Sequence, residues 1–106
     1  MTNTSNVPIS VRDNTAARRF EAELDGFTAV ADYRLDQGII TFTHVGVPRE
    51  IERRGVGTRL VEASLAAARE RGWHVIPRCP FFANYMRAHP QVQDLLAPEG
   101  RTLIEG

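Results

Sequence analysis

The spacing of apolar residues changes character near Gly55. Before it they recur every second position; after it they recur at helical spacing. Phe20, Ala22 and Leu24 alternate with Arg19, Glu21 and Glu23, which predicts a half-buried strand, and Asp25-Gly26 directly behind it predicts a tight hairpin. Phe27, Ala29, Ala31, Tyr33 and Leu35 then share one face of a second strand, closed by a turn at Asp36-Gln37-Gly38. Ile39 to Val47 reads as a third, with Ile40, Phe42 and His44 on one face and Ile39, Thr41, Thr43 and Val45 on the other. Upstream, Val7 to Val11 predicts a short strand held to an edge by Pro8, Asp13-Asn14 a turn, and Met1 to Asn6 a frayed start. Gly46 predicts a bulge or a close approach of backbone. Pro48 ends the ladder, and Arg49 to Arg54 reads as a polar connector.

Beyond the connector, Val56, Leu60, Ala63 and Ala67 form one helical stripe with Val61, Leu65 and Ala68 beside it, and Gly72 is placed to cap the end. Trp73 to Pro77 predicts a short strand, Pro80 to Ala88 a helix with Phe81, Tyr85 and Ala88 on one side, and Gln91 to Leu96 a last helical turn or two. Ala97 to Gly100 reads as loop and Arg101 to Ile104 as a short terminal strand. Consecutive strands with tight turns make an antiparallel meander, and strand–helix–strand makes a parallel, right-handed βαβ unit. The expected class is α/β (α+β): a mostly antiparallel sheet of about four to six strands with two or three helices.

Composition narrows the function classes. A chain of 106 residues suits a single domain over 1–106. A formal net charge of zero argues against nucleic acid or an anionic membrane as partner. One cysteine, Cys79, allows no intrachain disulfide, and no apolar leader or membrane-length run is present, so a cytoplasmic protein is expected. One cysteine and three histidines at unrelated spacings do not make a zinc site, so no metal is expected.

The chemistry concentrates in Glu52-Arg53-Arg54-Gly55-Val56-Gly57-Thr58-Arg59-Leu60. The first amides of a helix lack intrahelical partners and attract anions, glycines allow close approach, and arginines add charge-assisted hydrogen bonds. A phosphorylated ligand fits that combination. The missing Walker lysine after the glycines argues against a nucleoside triphosphate.

Taken together, the element order and these motifs resemble the GNAT acetyltransferase superfamily, whose pyrophosphate signature is Gln/Arg-x-x-Gly-x-Gly/Ala. Glu52-Arg53-Arg54-Gly55-Val56-Gly57 matches both glycines and departs at Glu52. Tyr85 is similar to the tyrosine that, in many members, protonates the departing thiolate. Closer still is the YjdJ-type N-acetyltransferase domain family of very small GNAT-like proteins (N-acetyltransferase domain-containing protein 1-like). Its landmarks are matched by His44-Val45-Gly46-Val47-Pro48, Gly55-Val56-Gly57, Pro77-Arg78-Cys79-Pro80-Phe81, Tyr85 with His89-Pro90, and Asp94-Leu95. The departure lies in the first landmark, where Val45 and Gly46 stand in place of Thr and Glu; in relatives that glutamate is a plausible general base.

The resemblance implies transfer of an acetyl group from acetyl-coenzyme A to an amine by direct attack on the thioester. It implies cofactor contacts from Arg53, Arg54, Gly55, Val56, Gly57, Thr58 and Arg59, and from the backbone of Val45, Gly46 and Val47. Tyr85 is the expected acid, Cys79 a candidate nucleophile and His44 a candidate base. Glu52 is expected to point away from the phosphates. So small a domain leaves its acceptor side open, which suits a protein or peptide terminus, a large substrate, or a site completed by a partner subunit; a monomer or weak homodimer is expected. The alternative is a coenzyme A-binding module with little catalysis.

Overall fold

The computed structural model describes residues 9–105. Five strands form one sheet in chain order: β1 (Val11–Asn14), β2 (Arg19–Leu24), β3 (Phe27–Asp36), β4 (Ile39–Gly46) and β5 (His74–Pro77). The first four are antiparallel, and β5 lies parallel to β4 after the crossover helix α1 (Val56–Glu70). Two further helices follow, α2 (Pro80–Ala88) and α3 (Pro98–Ile104), with a 3-10 turn over Pro90–Leu95 between them. Both hairpins use the left-handed pairs their sequences suggest: Asp25 and Gly26, then Gln37 and Gly38, all have positive φ.

Helices α1 and α2 cover one face of the sheet. Phe20, Ala22, Ala29, Ala31, Ile40 and Phe42 pack there against Leu60, Val61 and Leu65 of α1 and Phe82 and Met86 of α2. Phe42 and Phe82 stack with ring centroids 3.9 Å apart. Along α1 the deeply buried set is Val56, Leu60, Val61, Ser64, Leu65 and Ala68; Ala63 and Ala67 sit half-buried beside it. Gly72 takes the left-handed cap expected of it. No helix is long and apolar enough to cross a membrane, among the described residues.

The structure corrects several expectations. Asp13 and Asn14 belong to β1 rather than to a turn, which falls on residues 15–18; Val7 and Pro8 lie outside the described residues. The buried face of α2 is Phe82, Ala83 and Met86, and the side that carries Phe81, Tyr85 and Ala88 is the more exposed one. Residues 97–104 hold no strand. Pro98 occupies the first turn of α3, where its missing N–H costs nothing, and Ala97 donates its N–H to Val75 at the edge of β5. Gly100 makes this docking possible, because a Cβ there would stand 2.7 Å from the Val75 carbonyl oxygen. The connector is not wholly polar: Ile51 is completely buried within a 3-10 turn over Arg49–Ile51 and anchors the loop to the core.

The most consequential correction concerns β4. Tyr33 pairs with Phe42 and Asp32 with His44, so Thr43 is an extra residue on β4. The bulge lies there and not at Gly46. It inverts the alternation, turning Val45 toward the core and His44 and Gly46 to the opposite face, with Asp32 and Val30 across from them. His44 therefore does not share a face with Ile40 and Phe42.

Candidate functional site

β4 is paired unequally on its two sides. Its β3 side is paired to Gly46, while its β5 side is paired only to Phe42, with Cys79 donating one further N–H to the Phe42 carbonyl. The two parallel strands then part. β4 continues from Thr43 toward Val47 while the other chain turns into α2 at Pro80, which leaves one edge of β4 open at its carboxyl end. Ligands of open α/β units sit at such a divergence.

The loop after β4 delivers the amino terminus of α1 to the same end. Arg53 and Gly55 both take positive φ, 64° and 81°, two residues apart. Gly55 is the N-cap residue and accepts the N–H of Arg59, the first helical hydrogen bond. No side chain caps the helix and no acidic residue occupies its first turn. The amides of Val56, Gly57 and Thr58 are thus uncapped and carry the positive end of the helix dipole. Val47, Ile51, Arg53, Gly55, Gly57 and Phe81 are among the residues that enclose a groove of about 260 Å³ in front of them. An anionic group fits this arrangement, since the free amides and dipole of a helix start attract anions.

The surrounding side chains divide. Arg53 lines the groove, whereas Arg54 is drawn aside into a 2.8 Å ion pair with Asp25 of the first hairpin. Arg59 is exposed on the first turns of α1. Glu52, contrary to expectation, also lines the groove. Gly57 serves a neighbour the sequence did not suggest: the Phe81 ring lies so close that a Cβ on residue 57 would stand 2.5 Å from its Cζ. Two adjacent phenylalanines, one for the core and one for the groove, were the available signal for Phe81.

The three candidate catalytic groups occupy different surroundings. Cys79 is the N-cap residue of α2 and packs in the core, 7% exposed. His44 is exposed on the sheet face away from the helices. Tyr85 lies at the seam of α1 and α2, where its hydroxyl approaches Glu62 at 3.4 Å and its ring stacks on His89 at 3.9 Å. Burial and then the Glu62 carboxylate push its phenol above the ordinary tyrosine range. Tyr85 borders a separate apolar groove floored by Leu65, Ala66, Val92 and Leu95.

Comparison with known proteins is in keeping with this geometry. The family model described as GCN5-related N-acetyl-transferase matches residues 19–95. Among solved structures, the NMR solution structure of a GCN5-like protein from Staphylococcus aureus superposes with a TM-score of 0.64 at 28% identity, covering 89% of this chain and 91% of its own. No curated protein sequence matches.

Proposed function

The chain belongs to the GCN5-related N-acetyltransferases, and we propose that within that family it transfers acetyl from acetyl-coenzyme A to an amine. The observation that carries the reading is the uncapped start of α1 beside the open edge of β4. In this reading the amides of Val56, Gly57 and Thr58 hold the pyrophosphate with Arg53, while Arg59 lies near enough on the helix to add charge. The free edge of Val45, Gly46 and Val47 pairs with the pantetheine arm as an added strand would. Backbone N–H groups there polarise the thioester carbonyl. Tyr85 is the proposed proton donor to the leaving thiolate; its hydroxyl faces Glu62 across a groove separate from the one in front of α1.

Direct attack by the amine is favoured over an acyl-cysteine relay, because Cys79 is packed in the core and a nucleophile must reach the carbonyl carbon. The acceptor approaches the sheet face opposite α1 and α2, which suits a protein or peptide amine. Calorimetric titration with acetyl-coenzyme A, followed by thiol release with a panel of amines, tests the reading. Binding with turnover supports it, and absence of binding sinks it.

A second reading is a coenzyme A-binding module. Gly46 favours it, since no carboxylate projects where the relatives' glutamate would stand. Binding without turnover on any amine would select it.

A further inference from the structure

We propose that His44 is the general base that deprotonates the acceptor amine, occupying the space left by the missing side chain at residue 46. The inference rests on the acetyl-transfer reading and names the group that reading leaves open. Its starting point is the bulge at Thr43, which sets His44 and Gly46 on the helix-free face of β4. A Cβ built on Gly46 would stand 3.1 Å from His44 Nε2, 3.9 Å from its Cδ2 and 3.7 Å from Val30 Cγ2. The imidazole therefore leans along β4 over the bare α-carbon of Gly46. It stands where a glutamate at 46 would begin, beside the open strand edge and on the face from which the acceptor arrives.

Glycine at 46 is then not simply a loss of the base. With glycine at 46 the ring lies there without displacement, whereas a Cβ would press it aside. Imidazole is among the side chains that serve as general bases. Asp32 lies across from His44 on β3, and its half-buried carboxylate makes no ion pair or side-chain hydrogen bond among the described residues. Among the other charged groups, Arg19 of β2, across from Asp32, is held by Glu21 at 2.7 Å.

The step balances as follows. His44 Nε2 takes a proton from the acceptor ammonium, and the freed lone pair attacks the thioester carbonyl carbon. The C–N bond forms and the C–S bond breaks, and the nitrogen gives up its second proton, which balances the one the thiolate takes up. The thiolate leaves with the electron pair and is protonated, and His44 passes its proton to water. One acetyl is transferred and one proton released.

The test uses the full chain, acetyl-coenzyme A, and a panel of primary amines that includes a tripeptide with a free α-amino group. His44→Ala is expected to lower kcat by about 10²-fold, as loss of a general base does, with KM for acetyl-coenzyme A changed by less than about twofold. The double variant His44→Ala/Gly46→Glu is expected to regain at least about tenfold, because a carboxylate enters the vacated space. In the wild-type protein the His44 ring signals should shift on acetyl-coenzyme A titration more than those of His74 and His89. A wild-type chain that binds no acetyl-coenzyme A, or transfers to no amine, defeats the acetyl-transfer reading. Intact transfer with kcat unchanged in His44→Ala, or bound acetyl-coenzyme A that leaves the His44 signals unmoved, overturns the assignment of His44 alone.

Discussion

At the scale of single residues, two glycines of one motif do different work. Gly55 supplies a left-handed N-cap, so Ala there meets the cost of left-handed backbone, about 1–2 kcal/mol, and disturbs the helix start. Gly57 has ordinary helical backbone and needs its hydrogen only because Phe81 lies on it. Phe81 is 41% exposed and its ring can swing. Gly57→Ala is therefore expected to leave stability within about 1 kcal/mol, since Ala is the better helix former. Affinity for acetyl-coenzyme A should nonetheless fall by about tenfold as the displaced ring reshapes the groove, a loss of about 1.4 kcal/mol. Adding Phe81→Ala should restore much of that affinity. Calorimetric titration of the three proteins with acetyl-coenzyme A checks this, and equal affinity in all three would contradict it.

At the scale of elements, hydrophobic periodicity and turn chemistry account for most of what could be read in advance. Asp25-Gly26 and Asp36-Gln37-Gly38 fix both hairpins, and the 3.6-residue spacing from Val56 fixes α1. The failures have physical causes. Alternation assumes an unbroken ladder, so a single extra residue at Thr43 reversed the reading of His44. α2 carries two apolar stripes one position apart, Phe81 with Tyr85 and Phe82 with Met86, and only the shape of the core chooses between them. Pro98 and Gly100 look like turn residues; one opens a helix and the other lets that helix touch β5. For the candidate site, the glycine-bearing start of α1 could be read because its geometry is local. The surroundings of Tyr85, Cys79 and His44 depend on contacts between distant segments. Two substitutions test the unread parts. Gly100→Ala should destabilise the fold by about 1–3 kcal/mol, because its methyl meets rigid backbone at Val75. Ile51→Ala should cost about 2–5 kcal/mol, because its side chain is fully buried. It should also weaken acetyl-coenzyme A binding, since Ile51 holds the loop that presents α1. Denaturant melts measure both, and wild-type stability for either would contradict the packing described.

At the scale of the whole molecule, the sheet depends on ionisable groups to hold its outer strand. β1 is only four residues long and is fastened from both faces. On the helix-free face, Arg12 and Asn14 of β1 meet the carboxylate of Glu21, which Arg19 also binds. The hydrogen bonds from Arg19 and Asn14, and then Arg12, hold Glu21 down at about 2. On the other face, Asp13 accepts the Tyr33 hydroxyl at 2.7 Å and an Arg71 N–H at 2.7 Å. Burial first, and then Asp13, push the Tyr33 phenol up to about 12. The signs of these shifts are opposite. A carboxylate with a depressed folded pKa stabilises above its unfolded value of 4.5, and that contribution is lost as pH falls toward about 2. A phenol with a raised folded pKa stabilises below its unfolded value of 10, and that contribution is lost as pH rises toward about 12. Both losses loosen β1 first, and release of β1 bares the unpaired edge of β2, a template for association with another chain. Amide hydrogen exchange should therefore show Val11–Asn14 losing protection before β3 and β4 on both the acid and the alkaline side, with the onset of self-association tracking that loss in light scattering. Glu21→Gln should flatten the acid limb between about 4.5 and 2 and leave the alkaline limb in place, while Tyr33→Phe should flatten the alkaline limb only. Uniform loss of protection across all five strands, or an acid limb unchanged in Glu21→Gln, would show that β1 is not where the sheet's pH dependence resides.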